Sequence, residues 1–334
     1  MSSCLPTSTC LRNYRRYAAA TLQRRQQALL AFVLAANAIS EAFADGPYEA
    51  AVMASSPTAY WRFEESSGPA LNVASTTAPD GVVIGTHARN QASASPVLGR
   101  CIAFDGGGVR VPFSGWTQPS ANFSVEMWAK AVAVTAPAHL AGSSRDLSSG
   151  SFKFVIYGGN WIGAGRQGTT PSNGADAGTA TTAESLQAWH HYAYVHDGNS
   201  GLARFFVDGR LVGSGSFSMG DFATNSSDFM IALHDVPGFP YPFRGMIDEV
   251  AFYQRAIGAD EILDHYCAAS IPSLPRCCLG DLNHDHSVDG ADIGLLLYNW
   301  GPCDSVCLAD INSDGSVNGG DIGLLLSGWG PCTN

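Results

Sequence analysis

The chain repeats itself near its carboxyl end. Residues 280–302 read GDLNHDHSVDGADIGLLLYNWGP and residues 309–331 read ADINSDGSVNGGDIGLLLSGWGP. Asp281 and Asp310 open the two copies, so the period is 310 − 281 = 29 residues. A repeat this regular dictates two like halves that pack on each other, and it outweighs residue-by-residue propensity.

Each copy spaces oxygen-bearing side chains at loop positions 1, 3, 5 and 12, with a backbone carbonyl at position 7. The first loop offers Asp281, Asn283, Asp285, the Ser287 carbonyl and Asp292, with Asp289 at position 9. The second offers Asp310, Asn312, Asp314, the Ser316 carbonyl and Asp321, with Asn318 at position 9. Calcium takes about six to eight hard oxygen ligands from a loop that wraps the ion, so two Ca2+ ions are expected. An Asp/Asn-rich surface turn without an ion is the alternative, and matched spacing in two copies argues against it. Position 6 of such a loop needs a positive φ. The second copy supplies Gly315 there, whereas the first has His286, which enters that region less readily. The second loop is therefore expected to bind more tightly, although the first carries more carboxylates.

A helix should follow each loop, over about 290–300 and 319–329. Ile293, Leu296, Leu297 and Trp300 recur as Ile322, Leu325, Leu326 and Trp329 at helical spacing, and are expected to form the shared core. Gly-Pro pairs at 301–302 and 330–331 end both helices. So small a core is marginal alone, and bound ions would supply much of its folding energy. Cys278 and Cys303 recur as Cys307 and Cys332. The four either close each copy on itself or pair as Cys303–Cys307 with Cys278–Cys332. The second set is preferred, because it joins near neighbours and clasps the two ends of the module.

The rest of the chain has a different character. With 46% apolar and 14% charged residues, 37 Gly and 17 Pro, it reads as many short strands separated by turns. Strand-like runs cover Ala59–Glu64, Cys101–Asp105, Phe123–Lys130, Phe152–Tyr157, His190–His196 and Ala203–Val207. Asp208-Gly209 between apolar runs marks a hairpin. Only residues 258–266 look helical in the body. The first 44 residues read as a secretory signal: five Arg, an apolar stretch from Ala28 to Ile39, then Ala42-Phe43-Ala44. The stretch is too short to span a bilayer. Removing it takes away five Arg and one Glu, moving the net charge from −11 to −11 − 4 = −15. So acidic a protein repels nucleic acid and anionic lipid. In an exported chain most cysteines are expected to pair, and Cys101–Cys267 is one possible bond.

Ala59-Tyr60-Trp61-Arg62-Phe63-Glu64, Phe104-Asp105-Gly106, Val109-Arg110-Val111-Pro112, Phe123-Ser124-Val125-Glu126-Met127-Trp128, residues 189–195, Phe206-Val207-Asp208-Gly209 and residues 244–250 follow one another in an order that resembles laminin G-like, concanavalin A-type jelly rolls. The terminal repeat, whose loops end in Asp and feed a single helix, resembles the duplicated motif of type I dockerins, an all-α, EF-hand-related module. These resemblances imply a mainly β sandwich with a small C-terminal all-α module. They divide the chain into a signal (1–44), a jelly roll (46–268), a linker (269–278) and a calcium-binding module (279–332). They also imply a glycan or protein ligand for the jelly roll, and a cohesin-like or other cell-surface partner for the tail. The positions where dockerins choose their partners hold Gly290-Ala291 and Gly319-Gly320 here, not the usual hydroxyl-bearing pairs.

Catalysis has little support in the residues. A Glu-x-Asp-x-Glu strand and a Gly-x-Ser-x-Gly elbow are both missing. Asp248 and Glu249 are adjacent, so a regular strand would point them to opposite faces. His190 and His191 sit inside a strand. Gly163, Gly165 and Gly168 match a dinucleotide fingerprint, but no helix-forming sequence follows. Trp116, Trp161, Tyr157, Phe239 and Tyr241 are candidates for stacking on sugar rings. Two readings result: a secreted non-catalytic binding protein with a calcium-dependent docking tail, or a polysaccharide-degrading hydrolase or lyase whose site lies in the jelly roll.

Overall fold

The structure is a computed structural model that describes residues 46–74, 78–114, 121–132, 137–143, 151–158, 160–166, 175–218, 227–234, 241–269, 280–283, 285, 287–303, 309–312 and 314–332. The signal-like segment, nearly all of the linker, Trp116, Phe239, Cys277, Cys278, His286 and Cys307 lie outside these residues.

The body opens with helix α1 (Pro47–Ala54), then β1 (Ala59–Trp61), β2 (Val82–Ile84), β3 (His87–Ala92), β4 (Arg100–Asp105) and β5 (Gly108–Val111). The middle holds β6 (Asn122–Ala131), β7 (Ala138–Ser143), β8 (Phe152–Tyr157), β9 (Trp161–Arg166), β10 (Ala175–Ala180) and the short α2 (Ala183–Leu186). It ends with β11 (His190–Asp197), β12 (Leu202–Val207), β13 (Arg210–Ser216), β14 (Phe229–Ile231), β15 (Arg244–Tyr253) and α3 (Ala259–Ala268). One antiparallel sheet runs β13-β12-β11-β6-β15-β4-β3, with β1 also paired to β15, and the other runs β10-β9-β8-β7-β14-β5-β2. The strands predicted from sequence are present, and the Asp208-Gly209 turn joins β12 to β13 with φ of 52° and 75°, the geometry of a type I′ hairpin.

Alternation decides what each strand buries. On β6, Phe123, Val125, Met127 and Ala129 enter the core between the sheets, while Trp128 faces the other way. That outer face is also dry. Helices α1 and α3 cover it, and Tyr48, Val52, Ile262, Leu263 and Tyr266 pack onto Tyr60, Trp128, Val195 and Tyr253 in a second core. Both faces of β6, β11 and β15 are therefore buried, which hides the polar-out half of their pattern.

Strand β15 breaks the alternation. Its register against β6 shifts between Asp248 and Ala251, and Ile247 and Val250, three residues apart, both enter the inner core. Glu249 takes up the bulge with φ of 52°. Its carboxylate meets Tyr60 and Arg62, and Asp248 meets Ser93. Asp248 and Glu249 thus both turn to the helix-covered side, contrary to the opposite-face expectation, because the bulge resets the phase between them.

In the terminal repeat the helices are α4 (Gly290–Tyr298) and α5 (Gly319–Ser327), flanked by β16 (Ser287–Val288), β17 (Gly301–Pro302), β18 (Ser316–Val317) and β19 (Gly330–Pro331). Strand β16 pairs with β19, and β17 with β18. Each loop is thereby bridged to the segment that ends the other copy's helix, as expected of two like halves. Val288, Leu296, Ala309, Val317 and Leu325 form the core, with Leu282, Ile293, Ile311 and Ile322 partly buried against it. The expected core is wrong in four places. Leu297, Trp300, Leu326 and Trp329 are 51%, 52%, 48% and 54% exposed. Two short helices can cover only one stripe of each other; Leu297 and Leu326, one position past Leu296 and Leu325, are rotated about 100° out of it, and Trp300 and Trp329 lie beyond the helix ends at Tyr298 and Ser327.

Candidate functional site

Three places in the molecule gather chemistry-bearing side chains. The first is the helix-covered core. Glu126 is fully buried there, with Tyr253 donating its hydroxyl to it at 2.5 Å and His265 Nδ1 at 2.9 and 3.1 Å from its two oxygens. His191 Nε2 lies 3.2 Å away. Burial raises the Glu126 pKa, but His265 and His191 outweigh it and hold the carboxylate well below its usual range. Asp248 and Glu249 have no exposed surface either. Burial, with Glu249 beside it, raises Asp248, and burial raises Glu249. His190, next to His191, is held by Asp208 at 2.7 Å. Glu126, Asp248 and Glu249, sealed in the layer beneath α1 and α3, cannot meet a polysaccharide.

The second place is the outer face of the other sheet. Phe152, Phe154 and Ile156 of β8 enter the inner core, so Lys153, Val155 and Tyr157 point outward. Val155 pairs in register with His139 of β7, and Tyr157 with Trp161 of β9. His139, Lys153, Val155, Tyr157, His234 and Tyr241 line a cavity of about 160 Å³. The His139 and His234 rings lie 4.4 Å apart, centroid to centroid, at 36°. His139 is 2% exposed, and neither of its nitrogens has a hydrogen-bond partner among the described residues. Burial, then the charges of His234 and Lys153, push its pKa well below the ordinary imidazole value. Backbone strain frames the cavity: Ala232 and Tyr241 hold φ of 63° and 34°. Such non-glycine outliers gather at functional sites.

Beside the cavity Tyr157 is 44% exposed, its ring 5.7 Å from that of Trp161. The indole lies over Gly163 and Gly178, where an added Cβ would meet it at 2.4 and 2.3 Å. Of the aromatics singled out from sequence, Tyr157, Trp161 and Tyr241 come together here. His139, Lys153 and His234 escaped notice because no motif surrounds them. Only the sheet register brings them together. Gly163 and Gly165 lie within β9, so the dinucleotide fingerprint has no helix behind it. Asp105, by contrast, is exposed and paired with Arg244 at 3.4 Å.

The third place is the pair of terminal loops. Asp292 Oδ1 accepts from the backbone of Leu282 and Asn283 at 2.8 and 3.2 Å, and Oδ2 accepts from Asp289 at 2.8 Å. Asp321 repeats this with Ile311, Asn312 and Asn318 at 2.8, 3.2 and 2.8 Å. Asp281 accepts from the Asp285 backbone, Asp310 from those of Asp314 and Gly315, and the amides of Asn283 and Asn312 donate to Asp285 and Asp314. Gly315 has the positive φ, 93°. All eight predicted side-chain ligands thus turn into their loops, with the Ser287 and Ser316 positions beside Asp285 and Asp314. Burial raises Asp310, with Asp321 and Asp314 adding like charge. Among the described residues no three His, Cys, Asp or Glu side chains are close enough to hold an ion by themselves, so the fit depends on the amide and carbonyl oxygens. As for the cysteines, Cys101 is a buried free thiol that donates to the Ala92 carbonyl at 3.4 Å, so the Cys101–Cys267 bond is not made. The partners proposed for Cys303 and Cys332 lie outside the described residues.

Among the described residues no helix is long and apolar enough to cross a membrane. No curated protein matches the chain in sequence. Among solved structures, the binding domain of botulinum neurotoxin DC in complex with rat synaptotagmin II is similar with a TM-score of 0.51 and 12% identity, over 65% of this chain and 52% of that one. A botulinum neurotoxin serotype D/C binding domain gives 0.51 and 11%, over 65% and 53%. The chain therefore spans about half the length of these domains. Domain 4 of an extracellular GH43 arabinanase from Geobacillus stearothermophilus, in complex with arabinotriose, gives 0.49 and 20%, over 63% and 98%. Residues 105–263 match a laminin G-type family model described as the concanavalin A-like lectin/glucanases superfamily, and the β body of this chain has the two-sheet antiparallel sandwich fold of its structural neighbours.

Proposed function

We propose that this is a secreted, non-catalytic binding protein whose jelly roll takes a glycan at the outer-face cavity. The observation that carries the reading is the contrast between two sites. The cavity is open to solvent beside exposed Tyr157 and contains an imidazole, His139, with no hydrogen-bond partner among the described residues, whereas Glu126, Asp248 and Glu249 are sealed. A glycosidase needs two carboxylates facing one bond, and none lines the cavity among the described residues. Aromatic walls with a few polar groups suit a bound sugar, and the lectin half of the superfamily description agrees. A glycan array probed with the protein and with Trp161→Ala tests this. Binding that weakens about tenfold in the variant, with no reducing ends released, supports it; hydrolysis of any bound glycan would overturn it.

The tail, residues 279–332, is proposed as a dockerin-like module that holds two Ca2+ ions and docks on a cohesin-like or other cell-surface protein. Asp281, Asn283, Asp285 and Asp292 in one loop, and Asp310, Asn312, Asp314 and Asp321 in the other, would hold the ions with the Ser287 and Ser316 carbonyls. Bound calcium would neutralise the loops' charge and lock their shape. Export by the 1–44 segment, with cleavage near Ala44, and the Cys303–Cys307 and Cys278–Cys332 bonds belong to the same reading. Capture of a surface protein by the full chain that disappears on chelation would support docking.

A further inference from the structure

The cavity on the outer face gathers one ammonium and two imidazoles in an otherwise acidic protein. The chain carries a net charge of −11, yet His139, Lys153 and His234 converge on this space and, among the described residues, no carboxylate lines it. Asp176 is the nearest acid in register, facing Gly165, whose other neighbour is Lys153. It steadies Lys153 from outside the lining. Among the described residues neither nitrogen of His139, which is 2% exposed, has a hydrogen-bond partner, and so buried a group calls for one. Neutral sugar hydroxyls would satisfy an imidazole but bring no negative charge to Lys153 from within the cavity, and its acidic neighbour Asp176 lies outside the lining. A carboxylate satisfies both, through charge-assisted hydrogen bonds that strengthen in a recess shielded from water.

Resting on the glycan reading of this site, we propose that the ligand is an acidic glycan, and that the cavity receives a sugar carboxylate, as in a uronic acid, against Lys153, His139 and His234. The volume, about 160 Å³, is below the ~300–1,000 Å³ of ordinary ligand pockets. It suits one ring and its carboxylate, with neighbouring sugars lying out over Tyr157 and Trp161.

The test compares ligands that differ only in charge. Calorimetry of the full protein with trigalacturonate and with its methyl ester, beside an array holding both carboxylated and neutral glycans, separates the possibilities. The expected result is binding confined to carboxylated glycans, at least about tenfold weaker for Lys153→Gln, and weakening further as salt rises. Lys153 is half-buried on a strand, so the variant should fold; an unchanged melting temperature confirms that. Equal binding of neutral and acidic glycans, or indifference to Lys153→Gln, overturns the acidic ligand while leaving the glycan site in place. No glycan bound at all overturns both readings.

Discussion

The phenol of Tyr60 donates a hydrogen bond to the carboxylate of Glu249, linking residues 189 positions apart inside the layer beneath the helices. Arg62 Nε reaches the same carboxylate at 3.3 Å. Burial nevertheless wins over both partners, and the Glu249 pKa is pushed up to about 8 from an ordinary 4.5. Between those values the folded chain holds a proton that the unfolded chain has lost. The contribution to stability is therefore fully present below pH 4.5 and disappears as pH rises through 8. Urea unfolding of the wild type should show stability falling across this window. Glu249→Gln, which stays neutral, should remove most of this fall, which is on the order of 5 kcal/mol over the window. Parallel profiles for the two proteins would refute the assignment.

Glu126 answers a different question, whether the body hides a catalytic acid. It touches Tyr253, His265 and His191 and no solvent. Glu126→Ala should cost about 3–5 kcal/mol in chemical denaturation, because it leaves the two imidazoles without their buried counter-charge. Asp105→Ala, at an exposed pair, should cost less than about 1 kcal/mol. Glycan binding by a folded Glu126→Gln protein should be unchanged. A folded variant that loses binding would place Glu126 in the site after all.

How much of this was legible beforehand depends on the distance over which each signal acts. The hairpin at Asp208-Gly209, the two terminal helices and the alternating runs of β6 and β11 are local, and the residues alone reveal them. The opposite-face argument for Asp248 and Glu249 failed because a bulge is invisible in a pattern read two residues at a time. Leu297 was misplaced because helical spacing shows which residues share a stripe, not how wide a stripe the partner covers, and Trp300 because the helix ends at Tyr298. The cavity was hidden altogether. His139, Lys153 and His234 stand in unremarkable runs, and only the β7–β8 register and the strained segments at Ala232 and Tyr241 assemble them.

The calcium loops yield a prediction with an internal control. Gly315 occupies its loop with φ of 93°, a conformation that costs a side chain about 1 kcal/mol or more. Gly315→Ala should therefore weaken Ca2+ binding by the second loop, and His286→Gly should strengthen binding by the first, each by about fivefold to tenfold in calorimetry on the full chain. Chelation should also lower the melting temperature of the terminal module in the wild type, since the ions would stabilise only the folded loops. Identical melting in EDTA and in millimolar calcium would refute the calcium reading altogether.

The division between buried and exposed residues on α4 and α5 separates folding from docking. Leu296 and Leu325 are 0% exposed, whereas Trp300 and Trp329 are about half exposed on the same repeated unit. Leu296→Ala or Leu325→Ala removes a filled core position and should cost about 2–5 kcal/mol. Trp300→Ala with Trp329→Ala should change stability by less than about 1 kcal/mol. If the tail docks through this face, the double tryptophan variant should lose capture of its partner while its calcium affinity and melting stay at wild-type values. Aromatic residues at the centre of an interface commonly carry several kcal/mol of its binding energy, so the loss should be near complete. Full retention of capture in a folded, calcium-loaded double variant would assign docking to another surface.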